Sequence, residues 1–167
     1  MYQIRRLASG DERVLQEIRL RALLDEPDAF GSSYEREFVF VETDWQRRLA
    51  RIDAATFVCE RADEVAVGLV TGMIDENSAH IAWLTSMWVD PEARGSGVAG
   101  LLIDEVISWS LIKNCALIRL DFTEGNGKAE RVYEKSGFRR TGTTSRRERD
   151  NMAEIEKIGR ASCRERV

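Results

Sequence analysis

The alternation of apolar and polar positions predicts the elements of the N-terminal half. Residues Tyr2 to Leu7 alternate as in a half-buried strand, and apolar residues at helical spacing from Val14 predict a helix that ends near Asp25. Pro27 stops this helix, and residues 28–34 have loop character. A second helical region carries its apolar face on Trp45, Leu49 and Ile52.

The rest of the chain alternates short strands with helices. The predicted strands cover 56–61, 64–74, 80–89, 116–122, 138–143 and 152–158, and the predicted helices cover 98–111 and 128–135. The element order is therefore β-α-α-β-β-β-α-β-α-β-β. This order predicts an α/β fold, a single domain with a mixed central sheet and helices on both faces.

Composition narrows the class of protein. The chain has 167 residues, 32% of them charged, and a net charge of −4, which favours a globular protein and argues against nucleic acid as the main ligand. We expect no membrane span and no secretory signal, and hence a cytoplasmic location. The cysteines lack metal-ligand spacing and His80 stands alone, so we predict no metal site; Cys59 and Cys115 are interpreted as reduced packing residues.

The last ten residues differ from the rest. Residues 158–167, which include Cys163, lose the apolar periodicity and resemble the translation of a short sequencing adapter read through an open frame. We therefore predict a domain over residues 1–157 and a non-native tail over 158–167, which truncation after Lys157 would remove without harm. The alternative is a natural basic tail.

A glycine-containing turn joins the third predicted strand after the N-terminal helices to the next helix. It comprises Arg94, Gly95, Ser96 and Gly97, and the helix follows at Val98. Glycine lets the main chain approach an anion, a helix N-terminus attracts negative charge, and Arg94 can add a further full charge. No Gly-Lys-Ser/Thr follows, so the turn is not a P-loop. It predicts a site for a pyrophosphate-bearing cofactor, although an ordinary strand-to-helix turn has the same appearance.

A second motif, about 30 residues further on, favours the cofactor site over an ordinary strand-to-helix turn. Residues 126–138 have the form N-x-x-A-x-x-x-Y-x-x-x-G-F, with Asn126, Ala129 and Tyr133 at the defining positions. Together with the R-x-x-G-x-A turn over 94–99, this segment resembles the GNAT superfamily of acyl-CoA-dependent N-acetyltransferases. The resemblance spans about residues 2 to 157. It implies that the strands flanking the turn and its helix splay apart, with coenzyme A in the gap.

The resemblance also assigns a cofactor site for acetyl-CoA. Main-chain groups of Met87 and Val89 would pair with the pantetheine arm, and the turn would hold the pyrophosphate. Asn126 would offer its amide to the arm or cap its helix, or both. The expected cofactor-binding residues are Met87, Trp88, Val89, Arg94, Gly95, Ser96, Gly97, Val98, Ala99, Asn126, Ala129 and Tyr133.

Acetyl transfer to an amine needs a proton donor for the departing thiolate and a base for the amine. A phenol keeps its proton at neutral pH, so Tyr133 is the candidate acid, and the resemblance sets it beside the cofactor sulfur. Asp121 is the candidate base, directly or through water. The alternatives are packing for Tyr133, a solvent-facing or ammonium-anchoring role for Asp121, and Glu124 or His80 as base, although His80 lies early on its strand, far from the turn.

Substrate selection is assigned to the variable segment 25–45 and to neighbouring strand residues. Asp28, Glu35 and Glu37 are acidic and lie near the aromatic side chains of Phe30 and Tyr34, a combination that suits an amine-rich cation. Trp83 and Thr85 complete the candidate substrate site. A solvated loop and helix face would have the same composition.

These residues predict an N-acetyltransferase that acts by direct attack in a ternary complex. The expected acceptor is a primary amine of a small molecule, and the acidic balance with an apparently environmental origin suggests an aminoglycoside antibiotic. The alternatives are acetylation of a peptide N-terminus or lysine, and a non-catalytic module that binds coenzyme A. A homodimer is consistent with the resemblance.

Overall fold

The computed structural model describes residues 1–161. Seven strands form one sheet, and five α-helices pack on it. The strands are β1 (Tyr2–Arg6), β2 (Ala54–Arg61), β3 (Ala66–Ile74), β4 (Ile81–Val89), β5 (Leu117–Thr123), β6 (Arg139–Arg146) and β7 (Ala153–Arg160), and the helices are α1 (Glu12–Asp25), α2 (Tyr34–Phe38), α3 (Glu42–Ala50), α4 (Val98–Ile112) and α5 (Gly127–Lys135).

The segment between β1 and β2 holds three helices, where the apolar pattern predicts two. The chain forms α2 and α3 in succession because each has its own N-terminal hydrogen bond. The Ser33 hydroxyl accepts from the Arg36 amide at the start of α2, and the Asp44 carboxylate accepts from the Val41 amide at the start of α3. The remaining elements agree with the predicted order, which confirms the α/β fold with a mixed sheet.

The strand order in the sheet is β1-β2-β3-β4-β5-β7-β6. Every neighbouring pair is antiparallel except β4 and β5, which are parallel and are joined by α4. The parallel pair therefore lies inside the sheet, between two antiparallel halves.

Each face of the sheet carries its own apolar cluster. Phe57 and Val58 are neighbours on β2, yet they belong to different clusters, as the alternation of side chains along a strand requires. One cluster includes α4 and Tyr133 of α5, and the other includes α1 and Trp45 of α3. We call these sides the α4 face and the α1 face.

A buried ion network ties the helices of the α1 face together. Glu37 of α2 is fully buried, and it accepts two hydrogen bonds from the Arg19 guanidinium of α1, at 3.0 and 2.9 Å. Arg48 of α3 approaches the same carboxylate at 2.8 Å. Despite burial, which acts in the opposite direction, the hydrogen bond and charge of Arg19 lower the pKa of Glu37 to about 2.

Both cysteines of the described segment are free thiols buried in the α4 face cluster. Cys59 and Cys115 form no disulfide, and burial raises the pKa of each thiol. Cys163 lies outside the described residues. The structure thus agrees with the expected packing role of the two described cysteines.

The last strand includes the first three residues that sequence analysis assigns to the tail. Ile158, Gly159 and Arg160 pair with β5, and the Ala161 amide donates to the Ala116 carbonyl at 3.0 Å. The predicted boundary at Lys157 therefore falls inside β7. Residues 162–167 lie outside the described residues, and the foreign origin of the tail stays a prediction.

We expect Glu37→Gln to destabilise the fold by about 3–5 kcal/mol, because it leaves the buried Arg19 guanidinium and the partly exposed one of Arg48 without their counter-charge. Chemical denaturation of wild type and variant measures the difference. The folded-state pKa of Glu37 is depressed, so its contribution is complete above about pH 4.5 and is lost as the pH falls towards 2. The gap between the two proteins should narrow over that range. Glu35→Gln, on the exposed side of α2, is the control, and an equal loss there would contradict the network's role.

Truncation after Lys157 should destabilise the protein, whereas truncation after Ala161 should not. The shorter chain loses the main-chain hydrogen bonds of residues 158–161. Each bond contributes about 1 kcal/mol to stability, and their combined loss corresponds to a decrease in Tm of about 6–12 °C. Thermal unfolding of the two truncated chains measures this. An unchanged Tm after removal of residues 158–167 would show that β7 does not need its last residues.

Candidate active site

The sheet opens between β4 and β5. These strands pair only at Ile81–Leu117, Ala82–Ile118 and Trp83–Arg119. Beyond these pairs β4 continues to Val89 and β5 to Thr123, with no ladder between them. The strands therefore diverge, and beyond Trp83 the main-chain edge of β4 that faces β5 has no strand partner among residues 1–161. This opening, which we call the gap, confirms the expected splay.

A bulge in β4 lies where the gap begins. Leu69 and Thr71 of β3 pair with Trp88 and Thr85, so two residues of β4 face a single residue of β3. Ser86, inside the bulge, has a φ of +57°, which is rare outside glycine. The Arg19 guanidinium donates to the Ser86 hydroxyl at 3.1 Å and so links the bulge to the ion network.

The turn after β4 presents main-chain amides. Gly95 and Gly97 have φ values of +80° and +89°, and a Cβ atom at either position would meet no atom within 4 Å. Gly97 precedes the first residue of α4, and no side chain caps that end of the helix. The first amides of a helix have no partner within it, so this uncapped, open turn fits a phosphate group.

Arg94 does not offer the free charge that sequence analysis expects. Its Nη2 lies 2.6 Å from an Asp25 carboxylate oxygen and 3.0 Å from one of Glu26, and its Nε donates to the Val89 carbonyl at 3.0 Å. Two carboxylates thus balance one guanidinium. Trp88 donates to the same Asp25 carboxylate at 3.0 Å, so the segment before the turn is fixed to the end of α1.

Tyr133 reaches the α4 face cluster from α5. Its side chain is 6% exposed and packs edge-on against the Phe138 ring, with centroids 6.2 Å apart. Burial raises the pKa of Tyr133 well above its ordinary value, and the Glu26 carboxylate adds to the increase. The phenol therefore keeps its proton throughout the physiological range. The packing alternative and the acid are compatible, because the ring is buried in either case.

Asn126 caps the helix that carries Tyr133. Its side-chain oxygen accepts from the Ala129 amide at 3.2 Å. The cap uses the side-chain oxygen and leaves the side-chain NH2 group as a donor. Asn126 can therefore cap its helix and still donate a hydrogen bond to a pantetheine arm, the two roles expected for it. Ala129 itself is half-buried against the α4 face cluster.

Asp121 lies on the opposite side of β5 from Tyr133. Its neighbours Leu120 and Phe122 belong to the α4 face cluster, so the Asp121 side chain points to the α1 face. Glu156 is the cross-strand partner of Asp121 on β7. Glu154, two residues earlier on β7, lies on the same face. Although the Asp121 side chain is exposed, partial loss of hydration of its carboxyl group, reinforced by repulsion from Glu154 and Glu156, raises the pKa of Asp121 to about 6. The raised pKa makes this carboxylate a stronger base, which favours removal of a proton from an ammonium group.

Two of the acidic and aromatic residues assigned to the substrate are occupied within the protein. Phe30 is 4% exposed, and the Arg19 guanidinium carbon lies 4.9 Å from the centre of its ring. Glu37, as described, binds Arg19 and Arg48. Neither can provide the cation–π or charge contact that was expected, because an internal arginine already takes that contact.

The other predicted substrate residues are more dispersed. Asp28 and Glu35 are exposed, and the half-buried Tyr34 ring stacks on Phe38 at 5.3 Å. Trp83 donates to Asp75 at 2.7 Å, at the closed end of the gap. Thr85 lies on the α1 face beside the gap.

Of the alternative bases, His80 lies remote from the turn and Glu124 lies near the gap. His80 precedes β4, which places it about 30 Å along the strand from Val89, as expected from its early position. Glu124 is exposed and directly follows β5.

A cavity beside the gap was not predicted from the sequence. It has a volume of about 230 Å³ on the α1 face, and it reaches Thr85 and Ser86 at the gap. Its walls include Arg48, Arg51 and Thr56, which come from α3, the loop after it and β2. The recurrence of arginine three residues apart at 48 and 51 is the only signal in the sequence, and it equally fits a solvated helix face.

Within residues 1–161, no helix combines the length and the apolar character that a bilayer crossing requires. Nor do histidine, cysteine and acidic side chains of that segment gather into a group that could hold a metal ion.

The fold and the gap define a class of α/β domain in which a glycine turn and an uncapped helix N-terminus open onto a split sheet. The sequence model of the Acetyltransferase (GNAT) family matches residues 19–138, and the chain belongs to this family.

Solved structures of low sequence identity share the fold. A GNAT-family acetyltransferase from Streptococcus pneumoniae superposes with a TM-score of 0.80 at 17% identity, covering 96% of this chain and 99% of the other. Spermidine N-acetyltransferase from Vibrio cholerae, in complex with CoA and spermine, superposes with a TM-score of 0.73 at 22% identity, covering 96% of each chain.

One curated relative matches over part of the sequence. L-2,4-diaminobutyric acid acetyltransferase from Halalkalibacterium halodurans is 28% identical over 82 residues. That alignment covers 49% of this chain and 43% of the relative. The match therefore extends over less than half of the relative's length.

Proposed function

We propose that the chain is an acetyl-CoA-dependent N-acetyltransferase that acetylates a primary amine of a small molecule. The observation that carries this proposal is the gap between β4 and β5. An uncapped helix N-terminus adjoins it, a buried phenol lies on one face of β5, and a carboxylate of raised pKa lies on the other.

The cofactor site is built from main chain rather than from charged side chains. The unpaired edge of β4 at Met87 and Val89 offers strand-like hydrogen bonds to an extended amide-containing arm, and the amides that begin α4 bind the pyrophosphate. Open space above Gly95 and Gly97 leaves room for that group. Acetyl-CoA, when bound, supplies the thioester whose acetyl group is transferred.

Tyr133 holds the proton that the departing thiolate needs. Burial keeps this proton on the phenol oxygen until negative charge develops on the departing sulfur beside it, and the proton then moves to that sulfur. Asp121 takes a proton from the incoming ammonium group, directly or through water, because only the neutral amine is a nucleophile. Placement on opposite faces of β5 lets the two groups approach the gap at the same time from the two faces of the sheet.

Direct attack in a ternary complex fits the positions of the two cysteines within residues 1–161. Cys59 lies on β2, and Cys115 precedes β5 at its closed end, so neither thiol borders the open part of the gap. Burial raises the pKa of both thiols, which further weakens them as nucleophiles.

Small amines are supported as acceptors by the acidic group at Asp121, Glu154 and Glu156, which attracts an ammonium. The similar proteins named above act on spermidine and on L-2,4-diaminobutyric acid. An aminoglycoside acceptor is less well supported, because Phe30 and Glu37, two of the residues expected to contact such a cation, contact internal arginines instead. The cytoplasmic location and the homodimer stay predictions from the sequence.

The test is release of CoA thiol from acetyl-CoA with polyamines, diamino acids, aminoglycosides and short peptides. Release with a small amine supports the proposal, and intersecting lines in two-substrate kinetics support the ternary complex. Release with peptides alone would assign the activity to protein modification. Binding of CoA without turnover of any amine would point to a non-catalytic module.

We expect Tyr133→Phe to lower kcat by about 10²-fold or more, with little change in the KM for acetyl-CoA, because the ring still packs and only the proton is lost. Steady-state kinetics measure this, and Tyr2→Phe on the edge strand β1 is the control. If kcat is unchanged while Tm is also unchanged, Tyr133 is a packing residue.

The pH dependence of kcat/KM should identify the base. With Asp121 present, kcat/KM should fall below about pH 6, where its carboxylate becomes protonated, and should be level above it. In Asp121→Asn the amine must lose its proton to water, so kcat/KM should instead rise about tenfold per pH unit towards the pKa of the amine. Glu124→Gln should keep the wild-type profile. An unchanged pH profile of kcat/KM in Asp121→Asn would show that a group other than Asp121 is the base.

A further inference from the structure

The α1 face carries opposite charges on the two sides of the gap. Asp121, Glu154 and Glu156 lie on the β5–β7 side at the open end of the gap, whereas Arg119 of β5 shares their face at the closed end. The cavity of about 230 Å³ lies on the β2–β4 side and is walled by Arg19, Arg48 and Arg51. An acceptor that reached from the cavity to the gap would therefore meet cationic groups at one end and anionic groups at the other.

A row of threonines forms the floor between these two ends. Thr56, Thr71 and Thr85 are cross-strand neighbours on β2, β3 and β4. The Thr56 and Thr71 hydroxyls are 3.0 Å apart, and the Thr85 hydroxyl donates to the Thr71 carbonyl at 3.4 Å. Two strand spacings make the row about 10 Å long, and its last member borders the gap. This length and polarity suit a short, polar molecule.

The cationic end has more positive charge than its one buried carboxylate balances. Arg19 and Arg48 share Glu37 between them. Burial lowers the pKa of Arg48, and repulsion from Arg19 and Arg36 adds to the decrease. A further anion in the cavity would relieve this repulsion.

Arg48 has the most donors to spare. A guanidinium has five N–H donors. Arg19 uses three of them on Glu37 and Ser86, and Arg51 uses two on Asp53. The contact of Arg48 with an acidic group among residues 1–161 is to one oxygen of Glu37, at 2.8 Å. Its planar group lies 5.3 and 5.1 Å from the ring centres of Phe40 and Trp45, which hold it in place.

We propose that the acceptor carries a carboxylate as well as the reactive amine, and that Arg48 binds this carboxylate in the cavity while the amine lies at the gap beside Asp121. This inference rests on the proposed function and names the substrate class: a small amino acid with its reactive amine at the end remote from the carboxylate. The division of charge across the threonine row orients such a molecule along the face.

The experiment compares amino acids with the diamines left when their carboxylate is removed. The pairs are L-2,4-diaminobutyrate with 1,3-diaminopropane, L-ornithine with 1,4-diaminobutane, and L-lysine with 1,5-diaminopentane. We expect kcat/KM from CoA thiol release to be at least about tenfold higher for the amino acid of the preferred pair. Arg48→Gln should remove about 10- to 100-fold from that value, through KM, and leave the diamine within about twofold.

Two variants control for folding and for charge. Arg47 is the neighbour of Arg48 on α3, but its side chain is 79% exposed and pairs with Asp44, so Arg47→Gln should change neither substrate. Arg48→Lys should restore part of the preference, because it keeps the charge without the planar fork. The ratio of two substrates on one protein sample does not depend on how much of that sample is folded.

Each outcome separates the two proposals. Turnover of diamines at least as fast as of amino acids, or an equal loss on both substrates in Arg48→Gln, would overturn the carboxylate site and leave the acetyltransferase standing. No turnover of any of the six compounds, with thiol release still seen for another small amine such as spermidine, would overturn the carboxylate site alone. Silence with every small amine of the wider panel, with binding of CoA intact, would overturn the proposed function as well.

Discussion

The interrupted pairing of β4 and β5 is the constraint on which the rest of the structure depends. A sheet interior normally satisfies every main-chain group, and here the ladder stops after Trp83 and Arg119. The bulge at Ser86 and the turn at Gly95 and Gly97 follow on one side of the gap. On the other side β5 exposes different residues to its two faces. The candidate chemistry is located where the sheet leaves hydrogen bonds unmade.

Electrostatics on the α1 face extends this arrangement. Arg19 contacts α2 through Glu37 and the β4 bulge through Ser86, so one side chain connects the helices to the edge of the gap. Such a buried network is costly to form and costly to break, and it holds its members in one geometry. The same network leaves Arg48 with unused donors beside the cavity. Structural support and the proposed recognition of the substrate carboxylate thus involve the same group of arginines.

Much of the fold could be predicted from the sequence because its signals are local. Helix α4 and the turn before it follow from apolar spacing and glycine, and Tyr133 follows from a motif within one helix. The split into α2 and α3 depended on caps at Ser33 and Asp44 that the apolar pattern does not register. The occupation of Phe30 and Glu37 by Arg19 joins residues distant in the chain, so spacing could not reveal it.

The gap has one more consequence, for the way the molecule holds together. It divides the sheet into two half-sheets, β1 to β4 and β5 to β7, and each is continuous in sequence. Three residue pairs join the halves directly. A molecule that bridged the gap through hydrogen bonds to both β4 and β5 would therefore add cohesion between the two halves and stabilise the folded protein. The hydrogen bonds that such a molecule makes in the gap would then determine both how strongly it binds and how much it stabilises the protein against unfolding.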